Sequence, residues 1–273
     1  NATGGVTVDM GTSTSSGPDG ADSWDANLVG GLGGSNFADT LTAGALGSAI
    51  FARAGADTVT GLAGHDFLDG GAGGDDIVAG DGDDLIFGGK GSSLIAGGTG
   101  NDTIRTGSGS DVILFNRGDG IDTVIADRSG DNTLSFGGGI RYSDLSLSRQ
   151  GKNLIVSAGG DDQIILKNWY GGKHSVLNLQ IILDATDEFD AGSSDPLYNR
   201  KVQAFDFLGM VSAFDAVSAE SPGLTSWAIT NALLQFHLSG TDDRALGGDL
   251  AHGYGRKNGF SGVRLSAAQQ VSG

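Results

Sequence analysis

The 273-residue sequence predicts a mainly β fold: a parallel β-roll, a β-rich cap after it, and a small C-terminal helical region. Three observations predict it. A nine-residue register, Gly-x-x-Gly-x-Asp-x-aliphatic-x, runs without a gap through nine blocks from Gly34 to Leu114. Short alternating segments follow it between residues 131 and 186, and apolar residues at helical spacing appear only after about residue 191.

The register comes first because its core position is never missed. The eighth residue of the blocks is Leu41, Ile50, Val59, Leu68, Ile77, Ile86, Ile95, Ile104 and Ile113. A nine-residue period is too short for a helical hairpin or a propeller blade, but it suits one short strand and one tight turn. The lone aliphatic is the inward residue of a three-residue strand, and the glycines permit the positive-φ turn and close backbone approach. Two blocks make an 18-residue coil with two facing strands. Successive coils then stack as parallel strands about 4.8 Å apart.

That stacking sets the sixth positions above one another. One edge of the roll carries Asp39, Asp57, Asp75, Ser93 and Asp111; the other carries Ser48, Asp66, Asp84 and Asp102. Carboxylates stacked at about 5 Å repel by roughly 3 kcal/mol at an effective dielectric of 20. A cation is needed to reconcile them. Calcium accepts six to eight hard oxygen ligands in flexible geometry, and Gly-rich turns offer backbone carbonyls beside each carboxylate. Several calcium ions are therefore expected, best held between 39 and 57, 57 and 75, 66 and 84, and 84 and 102. Ser93 and Ser48 should weaken their neighbours. Magnesium demands stricter octahedral geometry, and zinc would want His or Cys, which are not arranged for it.

Composition agrees with this. The formal charge is −17, too acidic to suggest nucleic acid or an anionic membrane as partner. Of 33 acids only Glu188 and Glu220 are Glu, the rest being the shorter Asp favoured in turns and calcium loops. The array holds eleven Asp against Arg53, Lys90 and Arg105, whereas residues 191–273 are nearly balanced. No Cys is present, which suits an extracellular protein stabilised by something other than disulfides. No apolar run reaches membrane-spanning length. The first residue is Asn1 with no signal peptide before it, so the chain is expected to be a fragment or a processed product.

On its nonapeptides the chain resembles the RTX, or haemolysin-type, calcium-binding family. The resemblance implies four regions. Residues 1–33, with strand-like Val6–Met10 and apolar Trp24, Leu28 and Leu32, are similar to the lead-in that covers the first coil. Residues 34–124 are the roll, ending in Phe115–Val124, which resembles the family's array-ending motif and adds Asp119 and Asp122 as expected metal residues. Residues 125–190, with strands around Leu134, Leu145–Leu147, Leu154–Val156, Gln163–Leu166 and Leu177–Ile182, look like the related β-rich region, and capping an open sheet edge is its expected task. Residues 191–273 are expected to be helical: one helix over Asn199–Val217, a second from Thr225 to Gly240, a third led by Thr241–Asp243, and a short fourth at Ser266–Gln270. Ala245–Gly255 especially resembles the uncleaved C-terminal signal of proteins exported by type I machinery.

Catalysis is not expected. His65, His174, His237 and His252 lack partner patterns, and neither a Gly-x-Ser-x-Gly elbow nor His-Glu-x-x-His occurs. The resemblance implies a secreted or surface module, disordered at cytosolic calcium and folding outside, with calcium and the type I secretion machinery as partners. A second reading is a self-assembling adhesin, matrix or surface-layer component. Its motive is outward apolar residues: Phe51, Phe67, Leu85 and Phe87 on one face; Val78, Leu94, Val112 and Leu114 on the other. An ice-binding threonine ladder begins at Thr40/Thr42 and Thr58/Thr60 but breaks at Asp76/Val78.

Overall fold

The computed structural model describes residues 3–10, 12, 14–17, 20–23, 30–127, 130–172, 174–243 and 245–257. Its frame is two facing sheets, of twelve and ten strands, wound from alternate blocks. Within the array the strands are parallel and pair at a constant offset: Leu41 with Val59, Val59 with Ile77, Ile77 with Ile95 on one sheet; Ile50 with Leu68, Leu68 with Ile86, Ile86 with Ile104 on the other. The aliphatics of the nine blocks are sealed between the sheets, none more than 1% exposed. Burying a side chain of this size is worth about 1.5–3 kcal/mol, so the inward column drives closure of each coil.

The glycines at the second block position carry the stacking. Gly80 has φ 110°, and a Cβ there would lie 2.1 Å from the carbonyl oxygen of Leu62 in the coil before. Arg53 and Leu62 hold the same left-handed backbone at φ 80° and 75° without being glycine. An L-residue in that region costs about 1–2 kcal/mol, so these two blocks are locally strained.

The core column outlasts the nonapeptides. Ile113 pairs with Leu134 and Leu134 with Leu179, while Ile104 pairs with Val124 and Val124 with Leu166. At the other end Thr7–Asp9 adds parallel to Thr40–Thr42, placing Val8 on Leu41, and Gly31–Gly33 adds to Ala49–Phe51. These added strands are still parallel, and the pairing turns antiparallel only beyond Gln163–Leu166 and Val176–Ile182. Leu145–Gln150, Asn153–Ala158 and Gln163–Leu166 form a meander that extends the ten-stranded sheet. Trp24 and Leu28 lie outside the described residues.

The C-terminal part is more mixed than its apolar spacing suggests. Val202–Asp206 is a strand, paired with Val176–Ile182 on one side and His237–Thr241 on the other. Helix α1 begins only at Phe207 and runs to Glu220, with the Asp206 carboxylate accepting from Gly209 N–H at 2.8 Å as its N-cap. The helix expected from Thr225 to Gly240 is instead a short strand at Trp227–Ala228, a 3₁₀ turn at Ile229–Asn231, the single turn α2 (Leu233–Phe236), and the strand His237–Thr241. Helix α3 spans Gly248–Lys257 and contacts the strands at Val112–Phe115, Asn132–Phe136 and Val176–Ile182. The expected helix at Ser266–Gln270 lies outside the described residues.

Candidate metal centre

Each sixth-position carboxylate sits where a strand leaves its turn, and each is joined to the coil before it by one repeated contact. Asp57 Oδ1 accepts from Asp39 N–H at 2.8 Å, Asp75 from Asp57 at 2.9 Å, and Asp111 from Ser93 at 2.8 Å. On the opposite edge Asp66 accepts from Ser48 at 2.5 Å, Asp84 from Asp66 at 2.7 Å, and Asp102 from Asp84 at 2.8 Å. The ladder places Asp39, Asp57, Asp75 and Asp111 on one edge and Asp66, Asp84 and Asp102 on the other, with Ser93 and Ser48 as the odd rungs. The Ser93 rung is the slackest, its hydroxyl taking Asp75 N–H at 3.3 Å.

Only one oxygen of each carboxylate is used this way. The Oδ2 atoms of Asp57, Asp66, Asp75, Asp84, Asp102 and Asp111 are buried and have no hydrogen-bond partner. A buried carboxylate oxygen left unpaired is costly. Burial pushes Asp57, Asp66 and Asp84 up to about 6 and Asp75 and Asp111 up to about 7; the backbone N–H each accepts opposes the rise, and neighbouring carboxylates add to it for all but Asp111. A divalent cation would supply what these carboxylates lack, a partner for Oδ2 and a charge that keeps both stacked acids ionised. The donor set is all oxygen and suits calcium. Among the described residues no three His, Cys, Asp or Glu side chains converge, so an ion held between two rungs would need turn carbonyls as its further ligands.

The array-ending motif splits into two roles. Asp122 continues the second edge, its Oδ1 accepting from Asp102 N–H at 2.9 Å across a 20-residue step. Burial and the Asp102 charge both raise the Asp122 carboxyl well above the usual range. Asp119 stands off the ladder. Its Oδ2 accepts from Asn116 N–H at 2.7 Å and from the Tyr254 hydroxyl of α3 at 3.2 Å, and burial pushes it up to about 7. Asn132, which the sequence reading passed over, extends the first edge by accepting from Asp111 N–H at 2.8 Å. Its signal was the Asn132-x-Leu134 spacing, the same two-residue step from rung to core residue, but the nonapeptide register has lapsed there.

Four copies of the RTX calcium-binding nonapeptide repeat match the chain, at residues 49–77, 69–92, 78–113 and 87–124. Comparison with curated proteins finds no match. Among the described residues no helix is long and apolar enough to cross a membrane. Nonapeptide matches, a parallel roll and paired oxygen ladders along both edges agree: the chain carries an array of RTX calcium-binding nonapeptide repeats folded as a β-roll.

Proposed function

We propose that the chain is the calcium-dependent folding module of a secreted or surface protein, disordered at cytosolic calcium and ordered by extracellular calcium. The observation that carries this reading is the column of buried, unpaired Oδ2 atoms. Asp39, Asp57, Asp66, Asp75, Asp84, Asp102 and Asp111 are the proposed ligands, with Asp122 extending the second edge and Asp119 beside the last rung. Without metal, the burial of these acids and the chain entropy of a Gly-rich segment oppose folding. At millimolar calcium, the range of extracellular modules, binding becomes folding free energy. Coils then add as in other solenoids. The C-terminal region, Ala245–Gly255 above all, carries the signal for type I machinery, and folding outside hinders the chain from slipping back. No catalytic role is assigned.

The test changes Asp57, Asp66, Asp75 and Asp84 together to Ala. Secretion of the parent protein should fall, and calcium should no longer induce β circular dichroism in the purified chain. If secretion and the calcium response both stay unchanged, the proposal fails.

A second reading, self-assembly on a surface, is favoured by one specific observation. Phe51, Phe67 and Phe87 form an outward ladder with ring centroids 5.2 and 5.3 Å apart, and Phe51 is 45% exposed. An apolar column of this kind on a sheet face suits contact with another copy.

A further inference from the structure

The residues on either side of each sealed aliphatic point away from the core, so the ten-stranded sheet presents two outward rows of side chains. One row runs Phe51, Asp69, Phe87, Arg105 and Ile125, each residue directly beside the next on five neighbouring parallel strands. The other runs Ala49, Phe67, Leu85, Thr103 and Thr123 through the same strands. All of these side chains are half-buried or exposed, and none is sealed.

Asp69 and Arg105 are the charged residues of the two rows, and among the described residues neither belongs to an ion pair. They stand one strand to either side of Phe87, a step of about 4.8 Å each way. The Arg105 guanidinium is held over the face, 5.7 Å from the centre of the Phe87 ring. The first row therefore reads apolar, acid, aromatic, base, apolar, with opposite charges at equal distances from a central ring.

A face of that order complements itself. Turning a second copy about a two-fold axis along Leu85–Phe87 sets Phe87 on Phe87, Phe51 on Ile125, Asp69 on Arg105 and Arg105 on Asp69. An axis along either neighbouring strand would instead set Asp69 on Asp69 or Arg105 on Arg105. An axis across the strands would set the two charges on Phe67 and Thr103 and leave both unpaired in the contact, which is costly.

We propose that two copies of this chain pair face to face across the ten-stranded sheet, about a two-fold axis along Leu85–Phe87. This rests on the self-assembly reading and gives it a partner surface and a geometry. Phe51, Phe67, Leu85 and Phe87 form the apolar centre of the contact, with the sheets about 10 Å apart. Reciprocal Asp69–Arg105 pairs set its register. Contact between identical patches closes at two copies and does not propagate. The stripe is narrow and small interfaces are held weakly, so the expected dissociation constant is on the order of 100 μM.

The test follows the full calcium-loaded chain by sedimentation equilibrium up to about 1 mM, roughly ten times that constant. The unchanged protein should reach two copies and stop there. Asp69→Arg and Arg105→Asp should each weaken pairing by about tenfold or more, by setting like charges opposite one another. Mixing the two variants should restore it, since each copy then offers the charge that the other lacks. Calcium-induced circular dichroism checks that each variant folds. Leu85→Cys, unique in a chain without Cys, should couple in pairs through a short bis-maleimide, and Thr60→Cys on the opposite sheet should not. Pairs that ignore both charge reversals, a mixture that does not recover, or Leu85→Cys that fails to couple while pairs form would each overturn this geometry and leave self-assembly standing. A single copy at every concentration overturns both. Should the charge-reversed variants fail to fold, the Leu85→Cys coupling still decides.

Discussion

Asn132 shows what a rung does without its charge. It accepts from Asp111 N–H at 2.8 Å, the same distance at which Asp57 and Asp102 accept from their own preceding coils. An amide therefore does the backbone half of the work and leaves out the half that needs an ion. Asp75 is the sharpest place to separate the two halves, since burial first, and neighbouring acids after it, push its carboxyl up to about 7. Replacing Asp75→Asn should make the metal-free chain easier to fold, by roughly 2–4 kcal/mol at pH above that value. It should also raise the calcium midpoint by about tenfold or more. Circular dichroism in chelator and under calcium titration reads both changes. An unaltered calcium midpoint would remove Asp75 from the ligand set.

At the scale of elements, the roll was legible because every block repeats one physical arrangement: a turn that needs glycine, a rung and a sealed aliphatic. The core column at Leu134, Leu166 and Leu179 was harder to see because its spacing departs from nine once the strands lengthen. The helix misread over Asn199–Val217 has a particular cause. Val202, Phe205, Leu208, Val211 and Phe214 keep a three-residue spacing, yet Val202 and Phe205 lie in a strand with a neighbour on each side. In that strand the two fall on opposite faces and are buried in different clusters, so pairing on both edges outweighs the helical spacing. Asp206 was the readable boundary, as an N-cap.

The roll as an element also has a predictable pH response, and its sign depends on calcium. Asp57, Asp66, Asp75, Asp84 and Asp111 hold protons more tightly in the metal-free fold than in the open chain, where the value is 3.8. Their contribution to metal-free stability is thus complete below about 3.8 and is lost as pH rises through about 6 to 7. Calcium-stripped protein should gain β signal on acidification across that window. Calcium affinity should move oppositely, falling as protons compete for the same oxygens. Circular dichroism of stripped protein and calorimetric calcium titrations at pH 5.5 and 7.5 (about half a unit either side of the window) check the two directions. Metal-free protein that loses structure on acidification would contradict the burial argument.

Over the whole molecule, the two apolar outer faces have different fates. Leu94, Val112 and Leu114 are closed over by Ile182, Val202, Ala245, Ala251 and Tyr254. The Phe51, Phe67 and Phe87 column keeps at least one ring open to solvent. Both faces could be read from the sequence, since they follow from alternation along a strand. Which one is covered could not, because the cover arrives from residues far along the chain and depends on α3 lying across the strands. If the second reading holds, light scattering of calcium-loaded protein should give multiples of the 27.5 kDa chain. Phe51→Ser with Phe67→Ser should return it to one copy. A monodisperse single copy before any substitution ends that reading and leaves the folding role intact.

The contacts between rungs all point the same way. In every pair the earlier coil gives the amide hydrogen and the later coil supplies the oxygen, from Val6 with Asp39 through Asp111 with Asn132. The stack therefore has a head and a foot, and its two ends are chemically unlike. A growing foot-end coil offers ready-made acceptors to whatever segment arrives next. For a polypeptide threaded outward tail first, each newcomer meets a surface already built to receive it, and the order of arrival matches the order of assembly.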